Sequence, residues 1–135
     1  MTDAVISKEV ARGQLEMLLG YYDLDAGDFE NDTMKDLFET ACNKLVKAIS
    51  KGRLEIKEDE GLKITQHLRT GDELVYAEIC GKHKTAMAGK KDGDQYGKIY
   101  ALLGSMSGVG ETGISKLTGV DISVAECLGF LYMQV

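Results

Sequence analysis

The sequence predicts a mainly α-helical (α+β) fold, a compact helical domain with a small β-hairpin between its second and third helices. Three observations carry this expectation. Apolar residues recur every three or four positions through residues 34–49, the period of a helix that buries one face. The pattern then switches to strict alternation in residues 53–57 and 62–65 around an acidic, glycine-ended turn, as strands of a hairpin require. Helical spacing returns beyond residue 75. At 135 residues with 44% hydrophobic and 28% charged side chains, one domain over residues 1–135 is expected, large enough to bury roughly two thirds of its unfolded surface.

Taken in order, residues 4–22 read as a first helix with Ala11, Leu15, Leu18, Leu19 and Tyr22 on one face. The connection that follows gathers Asp23, Asp25, Asp28, Glu30 and Asp32. It resembles a calcium loop only superficially, because Gly27 and Asp28 stand in the wrong order and no glutamate closes a twelve-residue frame. A charged linker is expected. The second helix carries Met34, Leu37, Phe38, Ala41, Cys42, Leu45, Ala48 and Ile49 on its stripe. Asn31, Asp32 or Thr33 can cap its start, Lys47 and Lys51 suit the negative end of its dipole, and Gly52 suits the position just past its end.

In the hairpin, Leu54, Ile56, Leu62 and Ile64 form the face that should rest on the helices, because two strands alone are marginal. His67 is expected at a solvent-facing strand end. Val75, Tyr76, Ile79, Cys80, His83, Ala86 and Met87 predict a third helix, with His83 at the edge of the core making one hydrogen bond. After the 89–94 loop, Tyr96, Ile99, Tyr100, Leu103 and Met106 predict a fourth. The glycine-rich stretch 107–113 reads as a flexible connection. Ser123 and Glu126 match a capping box for a last helix that is apolar nearly all round. Such a helix must be covered on more than one side, either by the core or by another chain.

Composition limits the function classes. Eight acids face two bases in residues 1–32, whereas residues 33–135 balance to zero. Acidic surface repels phosphate, so nucleic-acid binding is disfavoured. No apolar run approaches the ~20 residues of a membrane span, and the first sixteen residues lack the basic leader and apolar block of a signal peptide. A soluble, intracellular chain is expected. Cys42, Cys80 and Cys127 are odd in number, widely separated and set among apolar residues, which suits buried reduced thiols. Cys80 and His83 make a CxxH pair, but no second pair completes the four ligands of a zinc site. Gly108, Gly110 and Gly113 spell GxGxxG, yet a helix rather than a strand is predicted before them, and Glu111 would face a pyrophosphate. The acid groups Asp92/Asp94 and Glu58/Asp59/Glu60 fall in exposed turns, where nothing tunes a catalytic carboxylate. Neither a catalytic residue nor a cofactor or metal is expected, and the chain reads as a binding protein rather than an enzyme.

The run KLVKAISKGRLEIK (44–57) followed by GLKITQHL (61–68) resembles the helix-to-hairpin region of tail assembly chaperones of long-tailed bacteriophages. Residues 100–133, with Leu117-Thr118-Gly119-Val120-Asp121-Ile122-Ser123 leading into a last apolar helix, resemble their closing region. The resemblance implies a non-enzymatic protein of phage or prophage origin in the cytoplasm of an infected or lysogenic host. It would keep the long helical tape measure protein soluble, help recruit the tail tube protein, and self-associate weakly. It also implies a longer frameshifted product in many members, and no cofactor. Leu128, Phe130, Leu131, Tyr132 and Met133 are the candidate protein-interaction residues; completing the monomer core is the other role open to them. A small nucleic-acid-binding regulator built on a helix pair in residues 112–133 is the alternative, although residues 121–135 contain no Lys or Arg to serve a recognition helix.

Overall fold

In a computed structural model of the chain, which describes residues 5–58 and 60–135, six helices pack with a small antiparallel sheet. Helix α1 (Lys8–Tyr21) starts where the Ser7 hydroxyl accepts the Val10 N–H at 3.1 Å. Ala11, Leu15 and Leu18, at four- and three-residue steps, turn into the core. The predicted start at residue 4 lies outside the described residues, but residues 5–7 are not helical because Ser7 caps the start at Lys8. The acids of the connection stay exposed, and its one 3₁₀ turn (Ala26–Asp28) is capped by the Asp25 side chain, which accepts the Gly27 N–H. Helix α2 (Asp32–Ser50) is capped by Asn31, whose side chain accepts from the Thr33 and Met34 N–H groups. Gly52 follows it at φ +75°, a left-handed conformation that glycine adopts without a Cβ clash. The chain before α1 is laced to the end of α2. The Val5 and Ile6 N–H groups donate to the Ser50 carbonyl, and the Ser50 hydroxyl donates to the Ile6 carbonyl.

The sheet lies between α2 and α3, as predicted, and carries one strand more than the hairpin. Strands β1 (Leu54–Glu58), β2 (Leu62–His67) and β3 (Glu73–Tyr76) pair antiparallel in the order β1-β2-β3. Their register stacks Leu54, Gln66 and Leu74 in one inward row and Ile56, Ile64 and Tyr76 in the next. The hairpin face therefore rests on the helices as expected.

The predicted third helix is overturned in its first half. Leu74 and Tyr76 are buried while Glu73 and Val75 face out, so the segment alternates as a strand. Two apolar residues side by side fit the start of a helical stripe as well as a four-residue strand, and the open edge of β2 decides in favour of pairing. Only Gly81–Thr85 is helical (α3).

Helix α4 (Gln95–Ser107) begins at an Asp94 cap and ends on Gly108 in the left-handed conformation. The 107–113 stretch is not an open connection: Gly110–Ser115 forms a short helix, α5, packed on α4. A methyl group at Gly104 would overlap the backbone of Gly110 and Glu111, so the missing side chain permits that contact. Helix α6 (Val120–Tyr132) closes the fold against α2 and α4. It starts at Gly119 with no side-chain cap. The expected capping box does not form, because Ser123 lies a turn inside the helix and the Glu126 carboxylate accepts from the Tyr100 hydroxyl at 2.6 Å instead.

One buried polar chain ties sheet to helices. The Gln66 amide donates to the Asp121 carbonyl and accepts from the Tyr76 hydroxyl, each at 2.8 Å, while the Asp121 carboxylate accepts from the Arg69 N–H. Gln66 and Asp121 are both buried. These hydrogen bonds make their burial tolerable.

Candidate protein-interaction groove

The five residues singled out on the last helix divide by the side of α6 on which they stand. Leu128, Leu131 and Tyr132 are at most 2% exposed and join Val124 and Ala125 in the core. Phe130 and Met133 are only partly buried. They face a groove of about 640 Å³ whose other walls come from α2 (Met34, Leu37, Ala41, Lys44) and α4 (Tyr96, Ile99). Tyr96 and Leu37 stand at its rim, 63% and 50% exposed. Met34 and Leu37 therefore leave the core stripe predicted for α2, whose buried apolar residues are Phe38, Ala41, Cys42, Leu45, Val46, Ala48 and Ile49.

The walls are three helices because each supplies residues spaced three or four apart on the flank of its core stripe. On α2, Met34, Leu37, Ala41 and Lys44 lie along ten residue steps, about 15 Å of helix; Ser123, Glu126 and Phe130 of α6, with Met133 at its C-terminal cap, do the same. Gly129 lets α6 approach α4, since a Cβ there would overlap Ile99. The Tyr100–Glu126 bond staples the α4 and α6 walls together. It also raises the Tyr100 phenol to about 12, chiefly because the adjacent carboxylate opposes ionisation, with burial adding to it.

Charge at the groove is sparse. Glu126 is engaged by Tyr100, whereas Lys44 has no hydrogen-bond or ion-pair partner among the described residues. A second, smaller cleft of about 250 Å³ lies between α1, the 3₁₀ turn and α2, beside Arg12, Glu39 and Cys42. The Arg12 guanidinium donates there to the Asn43 side-chain oxygen (Oδ1) at 3.3 Å.

The remaining sequence candidates are scattered. Cys42 is buried, and burial pushes its thiol up to about 11. Cys127 is half-buried and also raised by burial, with Lys44 pulling the other way. Cys80 is exposed, against the expectation of a buried thiol, because the helix on which it was placed begins only after it. His83 is buried at the edge of the core, its Nδ1 3.0 Å from the Ser105 hydroxyl. Burial, then Lys82, lower its pKa. His67 lies on the outer face of the sheet, 3.7 Å from both Glu55 and Glu73. Asp92 and Asp94 are exposed, as are Glu58 and Glu60; Asp59 lies outside the described residues. Among the described residues no group of three or more His, Cys, Asp or Glu side chains is arranged to hold a metal ion. No helix there is long and apolar enough to cross a membrane.

The groove's lining was half legible. The crowding of apolar residues at 128–135 points to α6, but nothing in residues 34–44 or 95–99 signals that their flanks meet across a gap. Comparison of the chain with protein-family models, with curated proteins and with solved structures returns no match.

Proposed function

We propose that this chain is a non-enzymatic tail assembly chaperone of a phage or prophage, which shelters apolar helices of the tape measure protein in the cytoplasm of the bacterial host, with the tail tube protein as a further partner. The observation that supports this reading most directly is the open apolar groove between α2, α4 and α6, with Leu37, Tyr96, Phe130 and Met133 exposed or half-exposed along it. Its walls are helices whose backbone groups are already bonded internally. An extended segment laid there would bury N–H and C=O groups without partners, whereas a helix arrives with its own satisfied. An amphipathic client helix is thus the occupant that the walls suit. The exposed acids of residues 23–32 supply charge to keep a loaded complex soluble.

Co-expression with a tape measure protein tests the reading. The wild-type chain should raise the client's soluble fraction, and Leu37→Gln combined with Phe130→Gln should abolish that gain while the variant stays folded. No gain from the wild-type chain with any tape measure protein encoded beside it would refute the proposal.

A further inference from the structure

The two charges that line the groove differ in what they offer an occupant. The whole chain carries a net charge of −6, and the groove itself holds one cation and one anion. Lys44 is its only lining cation, exposed and unpaired among the described residues, and close enough to the Cys127 thiol on the opposite wall to oppose part of the pKa rise that burial causes there. Glu126, its only lining anion, keeps its charge but is held against the α4 wall by the Tyr100 hydroxyl, so Lys44 is the lining charge whose hydrogen-bonding capacity is unfilled. The other polar lining groups (Thr40, Gln95, Ser123, Gln134) are neutral.

Resting on the reading that the groove takes a helix, we propose that Lys44 is a specificity-determining residue. It selects amphipathic client helices that carry a carboxylate beside their apolar ridge. A helix with apolar residues at i, i+3 or i+4, and i+7 fills the three turns of groove between Met34 and Lys44. Its flanking side chain at one end then meets the ammonium. Asp or Glu there is attracted, and Lys or Arg is repelled across a surface that water only partly screens. The charge chooses register and direction, while the apolar ridge supplies most of the affinity.

Two synthetic helical peptides with the same leucine ridge test this, one flanked by glutamate and the other by lysine, with binding to the full chain read by fluorescence anisotropy. An exposed pair of this kind predicts a preference of roughly two- to five-fold for the glutamate peptide at low salt. Lys44→Glu should invert that preference, and 0.5 M salt should erase it. Circular dichroism melting confirms that each variant is folded. If both peptides bind wild type and Lys44→Glu alike, and Leu37→Gln or Phe130→Gln weakens both, the lysine does not select and the groove reading survives. If neither peptide binds, or binding ignores Leu37→Gln and Phe130→Gln, the groove reading falls with it. Sedimentation equilibrium covers the other occupant: a wild-type dimer that Leu37→Gln dissolves would put a second copy in the groove and overturn the proposal.

Discussion

Two buried tyrosines show how single polar atoms set local stability. The Tyr76 hydroxyl donates to Gln66, whereas the Tyr132 hydroxyl is buried with no hydrogen-bond partner among the described residues. Burial raises both phenols. Tyr76→Phe leaves a core amide oxygen unpaired and should destabilise by about 1 kcal/mol; Tyr132→Phe removes an orphan and should be neutral or stabilising by up to about 1 kcal/mol. Urea melts of the two variants should move in opposite directions, or Tyr132→Phe should not move at all. His83 gives a pH prediction. Its pKa is lowered in the fold by burial and by Lys82, so the unfolded chain takes up a proton first as pH falls. Stability is complete above the ordinary histidine value of about 6.5 and declines as pH drops from there through the folded value. Melting temperatures at pH 7.5 and 5.5 should differ more for wild type than for His83→Gln.

At the scale of elements, the packing of α5 on α4 depends on a side chain that is missing. Gly104→Ala would force the Gly110–Glu111 backbone away from α4. It should destabilise by about 1–3 kcal/mol, as overpacked contacts do, and thermal denaturation reads this directly. Gly108→Ala, by contrast, meets open space, and its cost is the left-handed conformation alone. The contrast explains which elements were legible in the sequence. Helix α2 was readable because nineteen residues repeat one period and both ends carry local signals, Asn31 and Gly52. The hairpin was readable because alternation and turn chemistry agree. Strand β3 was not, because four residues hold too few periods to separate a strand from a helix, and the edge of β2 that decides the matter is a tertiary fact. Helix α5 was hidden by its glycines, which read as a loose connection until Gly104 brings a neighbouring backbone against them. Gln66 likewise gave no sign of burial, since its partners Tyr76 and Asp121 lie ten and 55 residues away.

For the whole molecule, the last helix has two duties that one substitution can separate but a careless pair would confuse. Leu128 and Leu131 complete the core, whereas Phe130 faces the groove. Replacing Phe130 and Leu131 together therefore mixes loss of folding with loss of docking. Leu128→Ala empties a wholly buried site and should lower stability by about 2–5 kcal/mol. That is a large share of the roughly 5–15 kcal/mol a domain possesses, so folding and client binding should both suffer. Phe130→Gln removes only a partly buried contact with the core, so its melting temperature should stay within a few degrees of wild type while the solubilisation of a tape measure protein is lost. The half-exposed Leu37 gives an independent control from the opposite wall, because Leu37→Gln removes apolar surface that the core does not use. A groove that binds a client requires Phe130→Gln and Leu37→Gln to fail together in the co-expression assay while both melt like wild type. If Leu128→Ala alone reduces client solubility, in proportion to its loss of fold, α6 serves the core and the client docks elsewhere.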